Sequence, residues 1–121
     1  MLIKYIKSDL YRYTGSTSFG SFLRSYLLNR SFNFSFWFRV CSQGNAGIKK
    51  IARPILSYKM RKYRIEILPT TKIGYGLYIG HCGPVIINPT AVIGNNVNLS
   101  QFTTIGSNDG KAAEIGDNVY I

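Results

Sequence analysis

Aliphatic side chains recur through the second half of the chain at Ile67, Ile73, Ile79, Ile87, Ile93, Leu99, Ile105, Ile115 and Ile121, and most of the gaps are six residues. The next position is usually glycine or another small or polar residue, as at Gly74, Gly80, Asn88, Gly94, Ser100, Gly106 and Gly116. Four residues after the aliphatic stands another side chain able to face inward: Thr71, Leu77, Ala91, Val97, Thr103 or Val119. A six-residue unit is too short for a strand plus a hairpin. It suits one short flat strand and one corner, where a glycine or small residue relieves the bend. Three units close a triangular coil of about 18 residues, and stacked coils bury a column of Ile, Val and Leu. An amphipathic helix needs spacings of three and four, which are absent. Residues 65–121 are therefore expected to be a mainly β unit, a parallel β-helix.

Two gaps break the period. Ile79 to Ile87 spans eight residues, so two extra fit there, and Ile105 to Ile115 spans ten, leaving four extra in a loop, Ser107–Glu114. Excursions from a rigid repeat are where function concentrates. The only histidine in the chain, His81, lies in the first of them.

Residues 1–64 read as an α-helical N-terminal region. In Phe19–Arg30, Phe22, Leu23, Tyr26 and Leu27 recur at helical spacing, and Ser18 or Ser16 can cap that segment. Phe32, Phe34, Phe36 and Phe38 alternate like a strand, but Trp37, Val40 and Cys41 join them, and the balance favours a helix. Gln43–Gly47 is a break. Ile48–Tyr63 resumes a helical pattern, with Pro54 expected near a helix start or at a kink.

Charge separates the same two halves. Residues 1–64 hold 13 Lys and Arg against one acid, Asp9, a net of +12, whereas residues 65–121 hold two bases and four acids, a net of −2. The basic, aromatic first half admits three readings: a solvated subdomain covering the first coil, contact with an anionic membrane surface, or nucleic-acid binding. The last has no motif behind it, and no nucleic acid is expected as a partner. Cys41 and Cys82 make no disulfide framework and match no metal spacing. A reduced, cytoplasmic setting is the simpler expectation, peripheral at most. The opening Met-Leu-Ile-Lys lacks the core of a signal peptide, and no stretch approaches the roughly 18 apolar residues that span a bilayer.

The run from Thr71 to Gly94, TKIGYGLYIGHCGPVIINPTAVIG, resembles the serine acetyltransferase branch of the hexapeptide-repeat transferases. That family's pattern there, I-G-x-G-(x)2-[IL]-D-H-x-x-G-[IV]-[VI]-[IV]-G-x-T-A-V-I-G, aligns without gaps over the core of the resemblance, which extends over residues 65–121. It implies a left-handed parallel β-helix, usually assembled as a homotrimer, and transfer of an acetyl group from acetyl-CoA, a co-substrate, to a hydroxyl. It implies that His81 is the general base and that a carboxylate fifteen residues earlier, here Glu66, orients it. Since one coil takes about 18 residues, Glu66 is expected near His81 and one coil away. Gly106 and Ser107, which open the longer loop, match a family position near the pantetheine arm of the donor.

Departures from the family bear on the acceptor. Gly80 stands where the family has Asp, removing a contact to the serine amino group. The family's Arg-His-Pro is replaced by Lys111-Ala112-Ala113-Glu114 in a shorter loop, removing partners of the serine carboxylate. These losses favour a sugar hydroxyl in surface-polysaccharide biosynthesis, with serine as the alternative and a non-catalytic scaffold as a third reading. A zinc hydratase on the same coil needs several histidines, and this chain has one, so no metal site is expected. Cys82 is read as a packing residue, because neighbours on an extended segment point to opposite sides. Ile121 is an inward repeat position, so further coils are expected beyond it.

Overall fold

Four helices precede ten short strands in a computed structural model that describes residues 1–121. The helices are α1 (Leu2–Thr14), α2 (Phe19–Leu28), α3 (Arg30–Gln43) and α4 (Ala46–Tyr63). Local chemistry sets their ends. Ser18 caps α2 by accepting from the Ser21 N–H, Asn29 caps α3 by accepting from Phe32, and Asn45 caps α4 by accepting from Ile48. The expected break at 43–47 therefore shrinks to Gly44 and Asn45. Pro54 sits in mid-helix rather than near a start. It is exposed, so the hydrogen bond its missing N–H forfeits falls on the solvent side of α4.

The strands are β1 (Ile65–Ile67), β2 (Lys72–Ile73), β3 (Tyr78–Ile79), β4 (Val85–Ile87), β5 (Val92–Ile93), β6 (Asn98–Leu99), β7 (Thr104–Ile105), β8 (Ser107–Asn108), β9 (Lys111–Ala112) and β10 (Glu114–Ile115). They stack as three parallel faces: β1-β4-β7, β2-β5-β10, and β3-β6 extended by a bridge from Asn98 to Tyr120. Register follows the repeat. Ile67 lies beside Ile87 and Ile87 beside Ile105, steps of 20 and 18 residues. Ile73, Ile93 and Ile115 align at steps of 20 and 22. The excess over 18 equals the two-residue and four-residue insertions, which are expelled at corners while the stack stays in phase. Ile67, Ile73, Ile79, Ile87, Ile93 and Leu99 are all buried, as are Thr71, Leu77, Ala91, Val97 and Thr103 four residues on.

The glycines after the aliphatics do a different job from the one expected. Gly74 and Gly94 do not have positive φ; a Cβ on Gly74 would stand 2.8 Å from the Gly94 carbonyl carbon, and one on Gly94 would stand 2.9 Å from that of Gly116. Their small size lets successive coils approach. The bend itself lies two residues later, at Gly76, Asn96 and Asn118, where φ is 70°, 55° and 59°. Asparagine tolerates that left-handed conformation better than most residues. Beside it runs a side-chain ladder: Asn95 Oδ1 accepts from the Tyr75 N–H at 2.8 Å, and Asp117 Oδ1 from the Asn95 N–H at 2.7 Å.

Helix α1 closes the upper edge of the first coil, which would otherwise present unpaired backbone groups. Ser8 Oγ accepts from Gly76 N–H at 3.0 Å, Asp9 Oδ1 from Leu77 N–H at 2.8 Å, and the Tyr13 hydroxyl from Ile79 N–H at 2.9 Å. Behind them, Arg39 of α3 is buried against Asp9, with Nε 2.7 Å from Oδ2 and Nη2 3.0 Å from Oδ1. The same guanidinium donates to the carbonyls of Ile73 at 2.9 Å and Gly74 at 2.6 Å. Ser35 Oγ completes the carboxylate's partners at 2.8 Å. No helix is long and apolar enough to cross a membrane.

Candidate active site

His81 lies on the corner between β3 and β4, where the two extra residues are expelled. The strand leading into it is held from α1: the Tyr13 hydroxyl accepts from the Ile79 N–H and donates to the Ile79 carbonyl at 3.3 Å. Burial pushes the Tyr13 phenol far above the ordinary tyrosine range, against the lowering effect of its Ile79 backbone hydrogen bond, so it acts as a neutral clamp on the backbone two residues before the imidazole. The imidazole is exposed and makes no hydrogen bond within the chain. The backbone N–H groups of His81, Cys82 and Gly83 likewise donate to no protein acceptor. An unpaired imidazole can accept a proton from a hydroxyl, and unpaired backbone N–H groups can stabilise an oxyanion.

Two depressions meet at this corner. One, of about 640 Å³, lies toward the helices and is lined by Ser21 and Arg24 of α2, Asn29, and Arg30 and Ser31 of α3, with Tyr13, Gly80 and Cys82. The other, of about 620 Å³, runs down the third face past Tyr78, Asn98, Ser100, Gln101 and Tyr120. His81 stands between them. Arg24 and Arg30 were not singled out from the sequence. Their clustering around Phe19–Arg30 was visible, but nothing in the period of α2 says which of its faces meets the coil corner.

Glu66 is not joined to His81, contrary to the sequence expectation. The chain contains one ion pair, Arg39 with Asp9, so the His81 nitrogens and Glu66 oxygens are more than 4.0 Å apart. The reason is the geometry of the coil. Glu66 projects outward from the first face, in register with Ile86. It lines a depression with Arg61, Arg64, Pro84 and Ile86, whose lining does not include His81. Glu66 is exposed and has no hydrogen-bond partner.

Gly106 and Ser107 lie at the opposite end of the first face from His81, on the corner that follows β7. The expected loop there is a tight hairpin, with β8 antiparallel to β9 through Ser107 and Ala112. Its turn is Asp109-Gly110 with φ of 53° and 74°, the type I′ geometry that Asp-Gly favours. Cys82 packs against the core, and its Sγ lies 3.6 Å from the Tyr63 carbonyl. Burial raises its thiol pKa, opposed in part by the nearby Arg30 charge. It is therefore a protonated packing residue, as the sequence suggests. No group of three or more His, Cys, Asp or Glu side chains is placed to hold a metal.

Comparison with known proteins agrees with this architecture. No family model matches the chain. Serine acetyltransferase 5 of Arabidopsis thaliana is 39% identical over 64 residues, which cover 49% of this chain and 20% of that protein. The structure of serine acetyltransferase isoform 3 from Entamoeba histolytica, in complex with cysteine, superposes with a TM-score of 0.73 at 26% identity, over 98% of this chain and 45% of that one. A serine acetyltransferase in complex with CoA gives a TM-score of 0.66 at 22% identity, over 93% of this chain and 48% of that one. The chain thus spans about half the length of these solved enzymes and a smaller share of the curated relative. The fold, helices followed by a left-handed parallel β-helix, is that of the serine acetyltransferases.

Proposed function

We propose that the chain forms the acceptor side of an acetyl-CoA-dependent O-acetyltransferase, with His81 as general base. The observation that carries the reading is the unpaired imidazole at the meeting point of two polar depressions, on a coil corner whose N–H groups are free. The acceptor hydroxyl gives its proton to His81 while its oxygen attacks the thioester carbonyl. Corner N–H groups stabilise the tetrahedral oxyanion. Collapse breaks the C–S bond, and the imidazolium returns the proton to the departing thiolate, leaving an acetyl ester and CoA.

Glu66 is proposed as the orienting carboxylate, reaching His81 when substrate orders the corner; catalytic hydrogen bonds are often long before substrate binds. The names of the relatives favour serine as the acceptor. A sugar hydroxyl is the second reading, favoured by Gly80 and by Lys111–Glu114 at the positions described above. Gly106 and Ser107 are proposed to touch the donor. Because they sit at the corner remote from His81, one site containing both needs a second copy, which supports a homotrimer. Exposed Ile3 and Phe19, which line one apolar depression with Lys7, support contact of residues 1–64 with an anionic membrane. Sizing in solution and vesicle co-sedimentation test these last two.

The catalytic reading is tested by acetyl-CoA consumption with serine and sugar acceptors. His81→Ala should lower kcat at least about a hundredfold, within the range of general-base catalysis. Glu66→Gln should lower kcat and shift the acid limb of the pH profile. Retention of more than about a tenth of the rate by His81→Ala would remove the general base from the mechanism. An unchanged pH profile in Glu66→Gln would remove the orienting role.

A further inference from the structure

We propose that the cavity between α2, the start of α3 and the His81 corner binds an acceptor whose reactive hydroxyl is accompanied by an anionic group, carboxylate or phosphate, held by Arg24 and Arg30. The proposal rests on the acetyl-transfer reading above and narrows its substrate class. The cavity lining contains two arginines and no carboxylate. Neither arginine has a counterion anywhere in the chain, because the only acid of the first 64 residues, Asp9, is consumed by Arg39. Arg24 and Arg30 are both exposed and face the same depression from two helices. Like charges brought to one concave surface repel, and an anion bound between them relieves that repulsion. The planar guanidinium fork matches carboxylate and phosphate geometry. Helix α3, 14 residues long, begins at Arg30, so the positive end of its dipole adds to the same field. The hydroxyls of Ser21 and Ser31 and the Asn29 side chain suit the polar remainder of an amino acid or sugar. With the anion on the helical wall, the hydroxyl is offered across the cavity to His81.

The test compares serine, a hexose phosphate, the unphosphorylated hexose and serine methyl ester as acceptors, with wild type, Arg24→Gln, Arg30→Gln and the double variant. Acceptors bearing the anion should show KM values at least tenfold below their uncharged partners. The double variant should raise KM for the charged acceptors at least tenfold and narrow that preference. Preference between serine and hexose phosphate identifies which source supplies the anion. Equal use of charged and uncharged acceptors overturns the proposal. So does a double variant whose KM rises for acetyl-CoA instead, since the anion would then belong to the donor. A readout independent of turnover is the imidazole signal of His81, the only histidine in the chain, during separate titrations with serine and with hexose phosphate. It should shift in wild type with at least one of them and stay still in the double variant; no shift in wild type with either overturns the anion site. Arginine-dependent binding without any acetyl transfer would instead retain the site and remove the acetyltransferase reading.

Discussion

Replacement of Arg39 by Met removes a buried charged contact between the helices and the coil. In the wild type the guanidinium makes four hydrogen bonds, two to Asp9 and one each to the Ile73 and Gly74 carbonyls, with both charged side chains 1% exposed. Methionine fills much of the same volume but donates nothing. Asp9 keeps only Ser35 Oγ and the Leu77 N–H, a buried carboxylate without a cation. Orphaning one partner of a buried pair costs about 3–5 kcal/mol. The two stranded carbonyls add to this, offset by local relaxation, so we expect about 4 kcal/mol for Arg39→Met. That is a large share of the roughly 5–15 kcal/mol that holds a domain folded. Urea unfolding followed by far-UV circular dichroism should show the midpoint falling by about 2 M, for a slope near 2 kcal/mol/M. The double variant Asp9→Leu/Arg39→Met removes the stranded charge as well and should recover part of the loss, since the pair is costly to break but not costly to omit. A loss below about 1 kcal/mol for Arg39→Met, or a double variant no more stable than the single one, would refute the reasoning.

Two further outcomes follow from the coil. Gly94→Ala should destabilise by about 1–3 kcal/mol, because the new Cβ meets the backbone of Gly116 and Asp117. Gly116→Ala, with nothing within 4 Å, should stay within about 0.5 kcal/mol of wild type; equal thermal shifts for the two would show that coil approach does not require the glycine. Tyr13 gives a pH dependence. Below its ordinary value of 10.0 the phenol is neutral in both folded and unfolded chains; above it the unfolded chain ionises while the buried phenol, with its pKa raised, does not. Stability should therefore fall as pH climbs through about 10. Tyr13→Phe should be less stable at neutral pH and flatter from about pH 9 to 11; parallel profiles would count against burial as the cause.

The coil could be read from the sequence because the six-residue period constrains every position: a residue either faces the column or does not. That is why Ile67 to Leu99 could be placed before any coordinates. Helix α3 was harder, since Phe32, Phe34, Phe38, Arg39 and Val40 are buried on several sides, leaving no polar stripe to give a 3.6-residue signal. The Asp9–Arg39 pair was invisible, because partners 30 residues apart on separate helices leave no local mark. The role of Gly74 and Gly94 was misassigned for a related reason: a sequence shows that a residue is small, but not whether a bend or a neighbouring backbone requires it. For the site, His81 was legible as the sole histidine in an insertion. The missing Glu66 contact and the Arg24–Arg30 wall depend on side-chain direction at a corner, which spacing alone does not encode.

The caps that Ser8, Asp9 and Tyr13 place on residues 76–79 bear on how the chain winds. Those partners emerge from the ribosome 66 to 68 residues before the groups they bind. A preformed helical platform then offers a template on which the first turn can settle, and each later turn finds a finished edge beneath it. Winding would run in one direction, away from the platform, sparing the chain a search among alternative registers.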